Sequence, residues 1–232
     1  MSSTEGVNFY FPIPDVLQND RLKLVPFVLS VHSKPFFELA NKYPEVYTHI
    51  PWGPFEDEAT FSKFMDKIFF QDRGWVLFAI LDKTSDDALA GALGYIKTSP
   101  DHLNTEIGAV QIFPPFQRTH VASNAVGLLL NYALNLPEEG GLGLRRVVWQ
   151  ANSVNKASIR LAERLGFQFE GILRWDRVMP GAGKAGNGKE LREGDPKSSN
   201  VGRDTAILGL CWDDWVLNGA KDHVANVMAR VK

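Results

Sequence analysis

The chain has 232 residues, 44% hydrophobic and 22% charged, with a formal net charge of −2 and a single cysteine, Cys211. That length and composition can bury a core without metal or disulfide support, and one cysteine excludes an internal disulfide. The charge gives no whole-molecule attraction to nucleic acid, and no apolar run approaches the roughly 20 residues of a membrane span.

Residues 1–20 are polar and aperiodic and read as an N-terminal arm draped on one domain, 21–232. They lack the basic-then-apolar order of a signal peptide, so the expected location is the cytosol, or cytosol and nucleus. Residues 21–27 place Leu22 and Leu24 on one face and read as a strand. Two helices follow, 30–42 and 57–71. The second carries Phe61, Phe64, Met65, Ile68 and Phe69 at helical spacing. Between them, the Pro- and Gly-rich stretch 48–55 reads as a loop. Segments 75–81, 88–97 and 103–113 read as an antiparallel meander. A helix over 121–136 has an apolar stripe of Val121, Ala125, Leu128, Leu129, Tyr132 and Leu136. Then come a strand at 144–151 and a helix at 153–165, capped by Asn152 or Ser153 and stopped at Gly166. Strands at 167–179 and 205–212 and a helix at 213–230 complete the chain. Residues 180–203, rich in Gly, Lys, Glu and Ser, read as a mobile insertion between two strands. Cys211, in the apolar run 206–212, reads as a buried structural thiol.

The chemistry concentrates at 110–123. Pro114 and Pro115 lack N–H groups, so they stop the strand and splay it from a neighbour. Splayed main-chain groups must find another partner. The following helix start carries no acidic residue, and none stands anywhere from Ile107 through Pro137. Arg118 and His120 flank it instead. A helix N-terminus has partial positive charge, so without its own acid it suits an anion; solvent capping is the plainer alternative.

The run Ile112-Phe113-Pro114-Pro115-Phe116-Gln117-Arg118-Thr119-His120-Val121-Ala122 resembles the V-x-P-x-x-Q/R-x-x-G-x-G/A segment of GNAT acetyltransferases, with His120 in place of a glycine. The later run Asn155-x-x-Ser158-x-x-x-x-Glu163-x-x-Gly166-Phe167 resembles that family's second motif. Pro51-Trp52-Gly53-Pro54-Phe55, Thr105-Glu106-Ile107-Gly108, Gly171-Ile172-Leu173-Arg174 and Arg203-Asp204-Thr205 resemble the branch of ribosomal-protein N-terminal acetyltransferases. The resemblance implies an α/β (α+β) GNAT fold, with a mostly antiparallel, twisted central sheet of about seven strands, splayed in the middle and flanked by helices. It implies acetyl-coenzyme A as co-substrate and a primary amine as acceptor, either a protein N-terminus or a small molecule. Main-chain groups at Ile112 and Phe113 would pair with the pantetheine arm. Those of Arg118, Thr119, His120, Val121, Ala122 and Ser123 would bind the pyrophosphate, with Gln117, Asn155 and Ser158 also at the cofactor. Trp52 and Phe55 would wall the acceptor groove, or anchor their loop in the core.

Transfer to an amine needs a neutral nucleophile. Glu106 is the candidate base. It precedes Ile112 by six residues, which on a regular strand is the same face and ~20 Å away. Ser158, one helical turn after Asn155 and so on its face, is the candidate acid for the departing thiolate; Ala162 stands where family members often carry Tyr, so either Ser158 or water takes over, or the thiolate leaves unprotonated. A main-chain N–H near Ile112 or Phe113 would steady the oxyanion. His32, His49, His102, His120 and His223 show no metal-ligand spacing, so no metal is expected. His120 either contacts a phosphate or fills the glycine's place. The expected oligomeric state is monomer or homodimer, and a coenzyme A-binding module without turnover is the alternative function.

Overall fold

The computed structural model describes residues 7–230; residues 1–6 of the expected arm, and 231–232, lie outside them. One sheet of eight strands forms the centre, in the order β1-β2-β3-β4-β5-β6-β8-β7. The strands are β1 (Leu17–Gln18), β2 (Leu22–Pro26), β3 (Val76–Asp82), β4 (Ala88–Ser99), β5 (Asn104–Ile112), β6 (Arg146–Asn152), β7 (Gln168–Met179) and β8 (Val201–Cys211). All pairs are antiparallel except β5–β6. The eighth strand, beyond the seven expected, is β1. The arm contributes it, and buries Phe9 against Tyr95.

Helices cover both faces. On one side α1 (Leu29–Lys42) and α2 (Glu58–Met65) pack through rings, with Phe36 stacked on Phe61 at 5.6 Å and tilted against Phe113 at 5.1 Å. The α2 helix begins at Asp57, whose carboxylate accepts from Thr60 N–H, and runs on as a π-helical turn through Phe70. On the other side lie α3 (Val121–Leu134), α4 (Lys156–Arg164) and α6 (Ala220–Ala229), with α5 (Trp212–Val216) at the end of β8.

Several expected boundaries move. The helix expected over 213–230 is two helices, because Gly219 adopts φ 77 between them. The α3 helix ends at Leu134, and Leu136 is half exposed rather than part of the buried stripe. The N-cap of α4 is Asn155, not Asn152 or Ser153. The β8 strand starts at Val201, four residues before the expected 205. Cys211 is half-buried, and Arg146 donates to its sulfur at 3.7 Å. Among the described residues, no helix is long and apolar enough to cross a membrane.

Candidate active site

The central feature is a fork. The parallel pairing of β5 with β6 covers Asn104 to Ile107 against Arg146 to Trp149 and then stops, although both strands continue. Phe113 N–H donates to Ala90 O at 2.9 Å, so alternation turns the main-chain groups of Ile112 away from β4 and into the gap. In the gap, Ile112 C=O accepts from the Gln117 side-chain amide at 2.9 Å. Pro114 to Phe116 form one 3-10 turn, and Arg118 at φ 60 turns the chain into α3. Gly91 lies beneath this point; a Cβ there would stand 2.0 Å from Gln111 O, so only glycine lets β4 approach.

The first turn of α3 has no acid, and it opens at the fork. Gln117, Arg118 and Thr119 are exposed, Ala122 is partly so, and Val121 and Ser123 are buried. Thr119 Oγ1 accepts from Val121 N–H at 3.3 Å. Arg164, at the end of α4, donates to Ser123 Oγ at 3.3 Å and adds a cation that the motif comparison missed. A helix start without an acid, beside the Arg164 cation, suits a diphosphate.

His120 takes neither a phosphate-facing nor a purely space-filling place. Its Nε2 lies 3.2 Å from Asp82 Oδ1, with Asp82 buried and His120 partly so. Burial pushes Asp82 up, but hydrogen bonds from Thr84 and Ser85, and His120 itself, outweigh it and hold the carboxyl below its ordinary value. The ring therefore clamps α3 to the end of β3. His120→Ala is expected to lower unfolding free energy by about 1–2 kcal/mol. Coenzyme A affinity, followed by calorimetric titration, should stay within about threefold.

Glu106 does not share a face with Ile112. The β4–β5 register passes from Ala92↔Gln111 to Gly94↔Gly108, so β5 holds one extra residue, Ala109, at φ 53. That bulge reverses the alternation. Ile107, Val110 and Ile112 pack on the α3 side, whereas Ala109 and Phe113 join the α1–α2 side. Glu106 lies on the latter, near Ile96 across the Gly108 position. It is 6% exposed and receives Lys97 Nζ at 2.8 Å. Burial pushes its carboxyl up, and Lys97, Arg177 and Arg203 pull it part of the way back. Phe113 N–H is committed to Ala90, so of the two expected oxyanion donors Ile112 N–H is the one that faces the gap.

Asn155 Oδ1 caps α4 by accepting from Ser158 N–H at 3.1 Å. Ser158 Oγ accepts from buried Trp149 Nε1 at 3.0 Å, which leaves its own O–H to donate elsewhere. Ala162 is fully buried. Trp52 and Phe55 are half-buried in an aromatic cluster with Phe64, which anchors their loop.

The segment 180–203 folds back over the α1–α2 side. Lys184 Nζ donates to Tyr47 O at 2.8 Å and Trp52 O at 2.7 Å, and Ala185 N–H to Thr48 O at 2.9 Å. Asn152 holds Ala185 O from β6, and Lys189 pairs with Asp204 at 2.6 Å. Burial pulls Lys184 down to about 8. Lys184→Met should free this strap, so that trypsin cuts at Lys189, Arg192 and Lys197 about fivefold faster, as counted by mass spectrometry.

Among the described residues, one group of potential metal ligands clusters: Cys211, Asp213 and Asp214. Asp214 caps the Cys211 N–H at 3.0 Å and receives Gln168, which accounts for its place without an ion.

The sequence pattern of the acetyltransferase (GNAT) domain matches residues 21–168, more than half of the chain, and spans the fork. The chain belongs to the GNAT acetyltransferase family. A GNAT-family acetyltransferase structure from Chromobacterium violaceum ATCC 12472 is 31% identical, covering 88% of this chain and 90% of that one, at TM-score 0.72. A GCN5-related N-acetyltransferase from Brucella melitensis is 25% identical, covering 94% and 87%, at TM-score 0.75. The spermidine/spermine N-acetyltransferase SpeG from Vibrio cholerae shares the GNAT fold at 17% identity, 87% and 99% coverage and TM-score 0.61. The uncharacterized N-acetyltransferase YoaA of Bacillus subtilis (strain 168) is 30% identical over 105 residues. That match spans 45% of this chain and about half of the relative, 55%.

Proposed function

We propose that the protein is an acetyl-coenzyme A-dependent N-acetyltransferase that moves the acetyl group directly to a primary amine within a ternary complex. The observation that carries this reading is the fork itself, where the Ile112 main chain and the acid-free start of α3 meet at the open end of β5 and β6. The fork supports the pantetheine arm lying beside β5 and the diphosphate at residues 118–123. Asn155 and Ser158 would reach the arm from α4.

Glu106, reached from the α1–α2 side, would take the proton that the amine loses as its nitrogen bonds to the acetyl carbon. Ile112 N–H would steady the carbonyl oxygen. The carbon–sulfur bond then breaks, and the Ser158 hydroxyl would donate to the departing sulfur. The resemblance of four segments to ribosomal-protein N-terminal acetyltransferases supports a protein N-terminus as one acceptor class, beside small amines. A reducing interior such as the cytosol suits the single free thiol.

The test follows thiol release from acetyl-coenzyme A with peptides bearing free N-termini and with small amines. Release that depends on the acceptor supports transfer. Tight coenzyme A binding with no release for any acceptor would instead mark a binding module.

A further inference from the structure

On the α1–α2 side of the sheet, the cations near Glu106 are unevenly matched. Lys97 pairs with Glu106 at 2.8 Å, and Arg177 pairs with Asp176 at 3.1 Å. Arg203 is 4% exposed, yet among the described residues no carboxylate oxygen lies within ion-pair reach of it. Its Nη1 meets His49 O at 3.4 Å, and its Nε is buried without a partner. His49 Nδ1 beside it, and Gln111 Nε2 on the same face, are buried and unpartnered as well. Buried N–H groups without acceptors are rare, and an unmatched buried charge is costlier still. Burial and the neighbouring Arg177 pull the Arg203 guanidinium down to about 10, Asp176 and Glu106 offset this only in part from beyond ion-pair distance, and the group stays charged at neutral pH.

A ligand that completes this cluster must bring oxygen acceptors and a negative charge. A carboxylate does both, and its two oxygens match the planar Nε–Nη edge of a guanidinium. A polyamine would add positive charge beside Arg203 and Arg177. A peptide carbonyl would satisfy one N–H and leave the charge unmatched. Lys97 Nζ bridges Glu106 at 2.8 Å and Gln150 Oε1 at 3.3 Å, Arg177 donates to the same Oε1 at 2.9 Å, and Arg177 is the register partner of Arg203 across β7 and β8, so Arg203 and Glu106 belong to one polar cluster. The strap at Lys184 and Ala185 is hydrogen-bonded to the loop at Tyr47, Thr48 and Trp52, beside the His49 carbonyl that Arg203 meets, so a ligand reaches Arg203 when the two part.

We infer that Arg203 forms a carboxylate subsite, and that the acceptor is an amino acid whose carboxylate it holds while the amine faces Glu106. The role of the amine rests on the acetyl-transfer reading; the subsite rests on Arg203 and its surroundings.

The test uses the full chain, nitrogen-15 labelled and loaded with coenzyme A, with the Arg203 Nε–H resonance assigned by its loss in Arg203→Lys. The probes are the L-amino acids, each against its own carboxamide, and spermidine. Movement of that resonance with at least one amino acid, and not with its carboxamide or spermidine, is the expected result. Arg203→Lys keeps the charge without the fork, and should raise the dissociation constant of that amino acid about 30-fold with its carboxamide unaffected. A resonance that no amino acid moves, or that carboxamides move equally, overturns the subsite. Thiol release from acetyl-coenzyme A, measured with the same probes, judges the other reading separately. Shifts without release would sink acetyl transfer and leave the carboxylate subsite standing.

Discussion

Ala122→Asp is expected to raise the dissociation constant for coenzyme A by one to two orders of magnitude while making the unliganded protein slightly more stable. The two effects have one origin. The first turn of α3 carries partial positive charge and no acid of its own. A carboxylate there favours the helix by about 0.3–1 kcal/mol, so the apo melting temperature should hold or rise. The same carboxylate would face the diphosphate at close range. At an effective dielectric of about 20, like charges some 5 Å apart repel by about 3 kcal/mol, and solvent lowers that toward 1.5 kcal/mol. Calorimetric titration and thermal melting read the two quantities independently. Weakened binding together with a lowered melting temperature would mean simple damage. Unchanged binding would remove the diphosphate from this helix end.

Glu106→Gln should lower kcat about 100-fold and leave KM for the acceptor within about threefold. The amide keeps the shape of the side chain and much of its contact with Lys97 but cannot take a proton. The pH profile gives the sharper reading. A base works when deprotonated, so the rate rises as pH rises through its pKa. Burial pushes Glu106 above the ordinary carboxylate value, so the acid limb of kcat/KM should lie above that of an exposed glutamate. Lys97 pulls in the opposite direction, so Lys97→Met should move the limb to higher pH still. In Glu106→Gln the limb should vanish. A limb that survives there assigns the base elsewhere.

Much of the fold and of the fork is legible in the sequence. The Pro114–Pro115 break, the acid-free helix start and the second motif around Asn155 and Gly166 located the fork. The meander and the flanking helices followed from apolar spacing. The errors have physical causes. The period-two argument for Glu106 and Ile112 assumes an uninterrupted strand, and Ala109 bulges with a residue type that carries no turn signal. His120 could not be placed because its partner, Asp82, is 38 positions away. The composition of 180–203 describes a solvated loop, but four hydrogen bonds join Lys184 and Ala185 to 47–52 and Asn152, and such contacts leave no hydrophobic pattern. Arg203 sat in a recognised motif, yet its lack of a counter-ion emerges only when β8, β7 and the His49 loop come together. Asn218-Gly219 carries the turn signal for the break between α5 and α6, against apolar spacing that runs on through it as one longer helix.

The fork also bears on how the sheet transmits force. Strands β1 to β5 form one plate, built largely from chain neighbours, and β6 to β8 form another. Four residue pairs join them, from Asn104↔Arg146 to Ile107↔Trp149, so the seam acts as a hinge with its open mouth beyond Gly108. An occupant of that mouth would work as a wedge that sets the angle between the plates. The groups around Glu106 come from both plates, because Glu106 stands on β5 and Gln150, Arg177 and Arg203 on β6, β7 and β8. Seating one substrate would then tune the width of the space offered to the second.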